Sequence, residues 1–276
     1  MTCPNPVGLV GAGGVSRSFL ARMPAVLARL GPIKASSLRL SRRLANQLRA
    51  GRGVANYSEL AGCSVIWIYG PEKTLDRVAA ELSRGIPLEG KMVVLMDVMR
   101  DSLQPSPLRA AGARVATVSV IPACDERIFA VEGAPAVTAE LRKMLAVEQR
   151  MVIELKPACK TLYLSGVHVA AHLLMPLIAG SAESFRAAGF TRSEAIATVQ
   201  SLASRALRAY ARAGAKAWNR ADAETLYRAI EADMETIRLT DHRLAALYTD
   251  SAERLLRSFK KPAAKRLHQV TAARAS

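Results

Sequence analysis

In the first half of the chain apolar residues fall in short, nearly continuous runs. In the second half they recur every three or four positions over long stretches. The runs are VGLV at 7–10, SSLRL at 36–40, CSVIWIYG at 63–70, KMVVLMD at 91–97, ARVATVSVI at 113–121, RIFAVEG at 127–133 and MVIEL at 151–155. Between them lie stretches with helical spacing. VSRSFLARMPAVLARL at 15–30 places Val15, Phe19, Met23, Val26, Leu27 and Leu30 near that period, and RRLANQLRA, PEKTLDRVAAEL and PAVTAELRKML repeat it. Strands that are apolar on both faces and separated by helices predict an α/β fold with a mostly parallel sheet covered on both sides.

The pattern changes at Pro157. Strand signal fades, and VHVAAHLLMPLIAGSAESFRAAG, SEAIATVQSLASRALRAYARAG, AETLYRAIEADMETIRL and HRLAALYTDSAERLLRSF read as four long helices. Thr191 followed by Glu194 forms a capping box at one helix start, with Gly189 closing the helix before it. This predicts a Rossmann-like domain over 1–156, an all-helical domain over 157–262 and a basic flexible tail over 263–276. Small apolar side chains on more than one helical face need a covering surface, which points to a homodimer through the helical domain.

The junction of the first run with the first helix carries the chemistry. Gly11-Ala12-Gly13-Gly14-Val15-Ser16 is a glycine-rich turn between a strand and a helix, the arrangement that brings backbone and a helix N-terminus to a pyrophosphate. Gly11 permits the turn and Gly13 the close approach, while Ser16 stands where a third small residue belongs. SSLRL reads as the second strand. It leads into Ser41-Arg42-Arg43, where an NAD site often has a carboxylate for the ribose hydroxyls. Forked guanidinium donors suit a 2′-phosphate, so the expected cofactor is NADP. Alternatively, Arg42 and Arg43 simply open the exposed face of the following helix. Further cofactor contacts are expected at strand ends, from Tyr69, Gly70 and Pro71 and from the loop beyond Asp97.

Composition narrows the alternatives. The 39 Lys and Arg against 23 Asp and Glu give a net charge of +16, which attracts polyanions. The excess is spread evenly, however, with 21 basic and 13 acidic residues in 1–156 and 18 and 10 in 157–276. Aromatic residues are only 5% of the chain, and zinc-finger, recognition-helix and RNA-stacking motifs are missing, which weighs against nucleic acid as a partner. The four cysteines form no CxxC pair, and His168 and His172, four apart on one helical face, have no accompanying carboxylate cluster, so no metal is expected. The N-terminus lacks the pattern of a secretory signal, and no apolar run reads as long enough to cross a bilayer. The expectation is a soluble, cytoplasmic protein.

Taken together, VGLVGAGGVSRSFL, LAGCSVIWIYGPEKTL, KTLYLSGVHVAAHLLMPLIAGSAESFRAAGFTRSEA and NRADAETLYRAIEAD resemble, in order and spacing, the Rossmann-like proteins with a DUF2520 C-terminal helical domain. These are relatives of pyrroline-5-carboxylate reductase and the F420-dependent NADP oxidoreductases. The likeness spans about residues 6 to 258. It implies a nucleotide domain followed by a helical domain that contributes to substrate binding. The helix opening that second domain carries, in the family, a Tyr-His pair and an Asn eight residues beyond the His. This chain keeps Tyr163, has Leu164 at the His position and has His172 at the Asn position. The family's His-Pro loop survives only as Ser119-Val120-Ile121-Pro122, and its Arg-Gly-Asp turn as Arg220-Ala221-Asp222.

The resemblance therefore implies an NADP(H)-dependent oxidoreductase that moves a hydride to or from a small carbonyl or imine-type substrate. His172 and Tyr163 are its candidate catalytic residues, since a neutral imidazole can orient a carbonyl or pass a proton. The alternative is a non-catalytic nucleotide-binding sensor or interaction protein. Leu164 and the missing histidine before Pro122 favour it.

Overall fold

The structure, a computed structural model, describes residues 6–11, 18–103, 106–121, 128–214, 229–230, 232–233, 236–237, 245–246 and 248–251. The chain divides into two compact units, residues 1–168 and 169–276.

The first unit is built on one eight-stranded sheet. Its strands are β1 (Val7–Gly11), β2 (Leu30–Lys34), β3 (Arg52–Val54), β4 (Val65–Tyr69), β5 (Met92–Met96), β6 (Arg114–Val120), β7 (Ile128–Gly133) and β8 (Met151–Glu154), in the order β3-β2-β1-β4-β5-β6-β7-β8. Every neighbouring pair is parallel except β6 and β7. The connection between those two is too short for a crossover helix, so the chain returns antiparallel. The helices of this unit are α1 (Pro24–Ala28), α2 (Leu38–Leu48), α3 (Leu75–Gly85), α4 (Ser106–Ala110), α5 (Pro135–Val147) and α6 (Lys160–His168).

Alternating side chains build a core on each face of the sheet. Val7, Leu9, Trp67, Val94 and Val118 point to one side, where Phe19, Leu44 and Leu141 cover them. Val10, Ile66, Ile68, Val93 and Leu95 point to the other, against Leu75, Leu82 and Leu108. Each such side chain contributes roughly 1.5–3 kcal/mol by leaving water. The runs at 63–70, 91–97 and 113–121 read as strands because both of their faces are buried in this way.

Two expectations near the N-terminus are corrected. The stretch 15–30 is not one helix: Phe19–Arg22 forms a 3-10 turn, Met23 is non-helical, and α1 lasts only from Pro24 to Ala28. Proline excludes the residue before it from the helical region, and it has no N–H to continue the ladder. The second strand is LGPIK at 30–34, not SSLRL at 36–40. Gly31 and Pro32 disguise it, being residues that strands rarely carry. SSLRL instead spans the start of α2. There Ser37 is the N-cap, in extended conformation, and its hydroxyl accepts from the Leu40 N–H at 3.2 Å. Helix α2 lies close on β3, since a Cβ at Gly53 would sit 2.3 Å from the Arg42 backbone nitrogen.

The second unit opens with a π turn, Val169–Leu173, followed by α7 (Met175–Ala187) and α8 (Arg192–Ala213). The capping box is present: the Thr191 hydroxyl accepts from the Glu194 N–H, and the Glu194 carboxylate accepts from the Thr191 N–H at 2.8 Å. Gly189, with φ +102°, follows the end of α7. Phe185 and Phe190 meet with ring centroids 5.2 Å apart at that corner. The predicted helices at 223–239 and 242–259 fall largely outside the described residues, and the 263–276 tail falls wholly outside them.

Candidate functional site

Strand β1 is flanked by β2 on one side and β4 on the other, so the connections leave it in opposite directions. In open α/β sheets such a reversal opens a crevice at the carboxyl ends of the strands. A cavity of about 380 Å³ lies there, bordered by Gly11 at the end of β1, by Lys34 at the end of β2 with Ala35 and Ser36 beyond it, and by Tyr69 at the end of β4 with Gly70 and Pro71 beyond it. Gly11 and Tyr69 are register partners. A Cβ on Gly11 would meet Leu44 of α2 at 3.2 Å, so this glycine also lets α2 close on the sheet. Ala12, Gly13, Gly14, Val15 and Ser16 lie outside the described residues.

The cavity's far wall comes from Tyr57 and α3. The Lys34 ammonium lies 5.0 Å from the centre of the Tyr57 ring, and the Tyr57 hydroxyl donates to Glu81 at 3.0 Å. Burial, reinforced by the Glu81 hydrogen bond and charge, holds the Tyr57 phenol far above its usual range, so it stays a neutral donor. Arg77 reaches Glu81 at 3.7 Å. The loop beneath is clamped. Arg100 pairs with Glu72 at 2.7 Å and with Asp76 at 2.6 Å, and Glu72 also accepts from the Met99 N–H. This ties the loop after β4 to the loop after β5.

Ser41, Arg42 and Arg43 sit on α2 and not at a strand end. Ser41 is buried. Its hydroxyl accepts from the Ala35 N–H at 2.9 Å and donates to the Ser37 carbonyl at 3.0 Å, stitching α2 to the end of β2. Arg42 and Arg43 are exposed and border a separate open depression with Leu38, Arg39, Asn46 and Gln47. The cations and hydroxyls beside the cavity are instead Lys34, Ser36 and Arg77. Sequence reading missed them because it ran the second strand six residues too far along.

Tyr163 is half-buried on α6, as is Leu164, whereas His168 ends α6 exposed. His172 is exposed in the π turn, which displaces it from regular α-helical register with His168. Among the described residues no group of three or more metal-ligating side chains assembles.

A second polar constellation lies at the carboxyl ends of β5 and β6. Lys160, the first residue of α6, is 1% exposed and donates to the Ser119 hydroxyl at 3.1 Å. Burial pulls its pKa down to about 8, opposed by the charges of Glu132, Asp97, Glu72 and Asp101. Asp97 follows β5 with φ 51°, a left-handed conformation uncommon outside glycine. Its N–H donates to the Val118 carbonyl at 2.9 Å, and its carboxylate accepts from the Val120 N–H. Burial raises the Asp97 carboxyl above its usual range. Glu132, fully buried on β7, accepts from the Ser102 N–H at 2.7 Å and its hydroxyl at 2.9 Å. Nothing in the local sequence marks Lys160, since its burial depends on the sheet.

No protein-family model and no curated protein sequence matches the chain. Solved structures do match in fold. An imine reductase from Myxococcus stipitatus in complex with NADP+ is 14% identical, with 93% of this chain and 100% of that one covered at a TM-score of 0.64. A reductive aminase from Aspergillus terreus, solved with NADPH and ethyl levulinate, is 12% identical with 98% and 100% covered at 0.66. A pyrroline-5-carboxylate reductase from Coxiella burnetii is 12% identical with 91% and 98% covered at 0.55. The chain thus has the fold of these Rossmann oxidoreductases, as its resemblance to pyrroline-5-carboxylate reductase implied. By length and composition, one helix among the described residues, Lys160–Ala187, is long and apolar enough to cross a membrane, where the sequence reading expected no such run.

Proposed function

We propose that this protein is an NADP(H)-dependent oxidoreductase acting on a small carbonyl or imine-type substrate. The observation that carries the reading is the cavity at the β1–β4 reversal, bordered by Gly11 at the end of β1, Lys34 at the end of β2 and Ser36 just beyond it. Its volume falls within the range of small-molecule sites. An ammonium and a hydroxyl at the carboxyl ends of parallel strands form a donor set fit for a phosphorylated nucleotide. In this reading Gly11 and Gly13 receive the pyrophosphate, and Lys34 and Ser36 the 2′-phosphate. Tyr69, Gly70 and Pro71 form the wall beside the nucleotide. Bound NADP(H) supplies or accepts the hydride. The chain's own contribution is to hold the nucleotide, exclude water through the clamped loops at Glu72 and Arg100, and place a proton donor at the substrate. Tyr163 and His172 remain candidates for that last role. The fold shared with the imine reductase and the reductive aminase supports the substrate class.

Titration of NADPH and NADH into the purified protein tests the cofactor assignment. Lys34→Ala should weaken NADPH binding about tenfold or more, consistent with a charge-assisted hydrogen bond, and leave NADH nearly unchanged. Equal losses for both nucleotides would overturn the 2′-phosphate assignment. Gly13→Val should abolish binding of both. Ethyl levulinate, cyclohexanone and dibenz[c,e]azepine serve as carbonyl and imine probes of turnover.

We further propose a homodimer through the helical part. The support is the exposure of Leu173, Met175, Leu177, Ile196 and Leu207. Pro176 and His172 interrupt the apolar stretch, which favours a protein surface over lipid as its cover. Sedimentation velocity should give a species of twice the 29.6 kDa chain mass. Flotation with liposomes in place of dimerisation would reverse the assignment. The sensor reading draws on Leu164, an apolar residue at a polar family position. Tight NADPH binding with no turnover of any probe would favour it.

A further inference from the structure

Helix α6 starts with a buried ammonium, at a point where an apolar residue would pack at lower cost. An uncompensated buried charge is expensive, so its surroundings should reveal what it serves. Four carboxylates contribute negative charge at Lys160: Glu132 from β7, Asp97 and Asp101 from the segment after β5, and Glu72 from the turn after β4. They keep the amine largely protonated at neutral pH despite burial. The Lys160 ammonium donates to the Ser119 oxygen at 3.1 Å, and Ser119 is 8% exposed near the end of β6. A hydroxyl whose oxygen accepts from an ammonium has its own proton free to donate elsewhere. Ser119 therefore stands on the carboxyl edge of the sheet, where ligands bind in this architecture, with a charged donor behind it.

We propose that Ser119 and Lys160 form a proton-delivery pair, and that the substrate they serve is a carbonyl. This rests on the oxidoreductase reading above. In the reduction, the carbon of the C=O group gains a hydride from the reduced nicotinamide, and the π electrons move onto oxygen. The oxygen takes the Ser119 proton, Lys160 returns a proton to Ser119, and solvent recharges Lys160. The product is an alcohol and the oxidised nicotinamide. A neutral imine also needs a proton on nitrogen, but an iminium ion with its nitrogen already fully substituted needs none after hydride addition, so the pair has work to do for a carbonyl and none for such an iminium. Ser119 then takes the proton-donor role in place of Tyr163 and His172, and Lys160 is a positioning residue that acts through it.

The test uses the full-length protein and has two readouts. In the first, 13Cε-lysine spectra followed across pH should show one resonance titrating at about 8, missing in Lys160→Met and shifted in Ser119→Ala. Lysines that all titrate near their ordinary value of about 10.4 would overturn the proposal without any substrate. In the second, cyclohexanone and N-methyl-3,4-dihydroisoquinolinium, an iminium whose reduction takes up no proton, are reduced with NADPH. Ser119→Ala and Lys160→Met should each lower kcat for the ketone on the order of 100-fold, with KM and NADPH affinity unchanged, and the double variant should fall no further. The ketone rate of the unaltered protein should be level below pH 8 and decline above it, as the ammonium is lost. Lys160→Arg preserves the hydrogen bond and keeps its proton, so its lower rate should not decline above pH 8. The iminium rate should change little in any variant. Equal losses on both probes would assign the pair a structural role and overturn the proposal, as would turnover of the iminium alone or of neither probe with NADPH bound. A protein that binds no NADPH would overturn the oxidoreductase reading itself, and the lysine titration would still report on the pair.

Discussion

The two units solve the problem of apolar surface in opposite ways. In residues 1–168 the sheet is sandwiched, and Leu9, Ile66, Trp67 and Val94 are completely or almost completely buried within a single chain. In residues 169–276 the described helices bury few side chains, such as Ala195 and Val199, while Leu173 stays 64% exposed and Leu207 68%. A sheet with helices on both faces is closed by its own chain, whereas the described helices leave apolar side chains on their surface. The sheet unit holds the cavity at the β1–β4 reversal. The helical unit carries the exposed apolar side chains that the proposed homodimer would cover.

The contrast can be tested where its expected effect is largest. Trp67 lies under Phe19 with centroids 6.2 Å apart, and Phe19 meets Phe129 at 4.9 Å. Trp67→Ala should cost roughly 3–5 kcal/mol in denaturant unfolding monitored by far-UV circular dichroism. A loss below about 1 kcal/mol would mean that the sheet core is looser than its burial indicates. Leu173→Asp combined with Leu207→Asp should do the reverse. It should leave the unfolding midpoint of the sheet unit in place and shift the sedimenting species from dimer to monomer at micromolar concentration. Dimers that survive both charges would move the interface away from these helices. The smallest effect is local: Thr191→Ala removes the cap of α8 and should cost about 1 kcal/mol, read as a small loss of helical signal stability. A larger loss would show that α8 supports more than its own start.

Legibility in the sequence followed local sufficiency. The runs VIWIY, MVVLM and RVATVSV are so apolar that either face of a strand must be buried, and the parallel sheet follows from them directly. The cap at Thr191 was equally legible, because its donors and acceptors all lie within four residues. β2 was not, since Gly31 and Pro32 belong to the strand only through pairing with β1 and β3. That misplacement carried Ser41, Arg42 and Arg43 toward the ribose and left Lys34 and Ser36 unnoticed. Tyr69, Gly70 and Pro71 could be placed at a strand end, and they border the cavity there, because the end of a strongly apolar strand is visible without partners.

Lys160 shows the limit most clearly. Its neighbours in sequence, Cys159 and Thr161, say nothing of Ser119 on β6, Glu132 on β7 or Asp97 just after β5, which lie 28 to 63 residues earlier in the chain. Hydrophobic periodicity and caps are short-range properties, so the chain by itself determined the α/β order and the change to helices. Which polar groups are buried together, and which helical faces lack a cover, depend on how distant segments stack. Desolvation acts on the assembled molecule and not on the residue, and for that reason only the tertiary structure decided them.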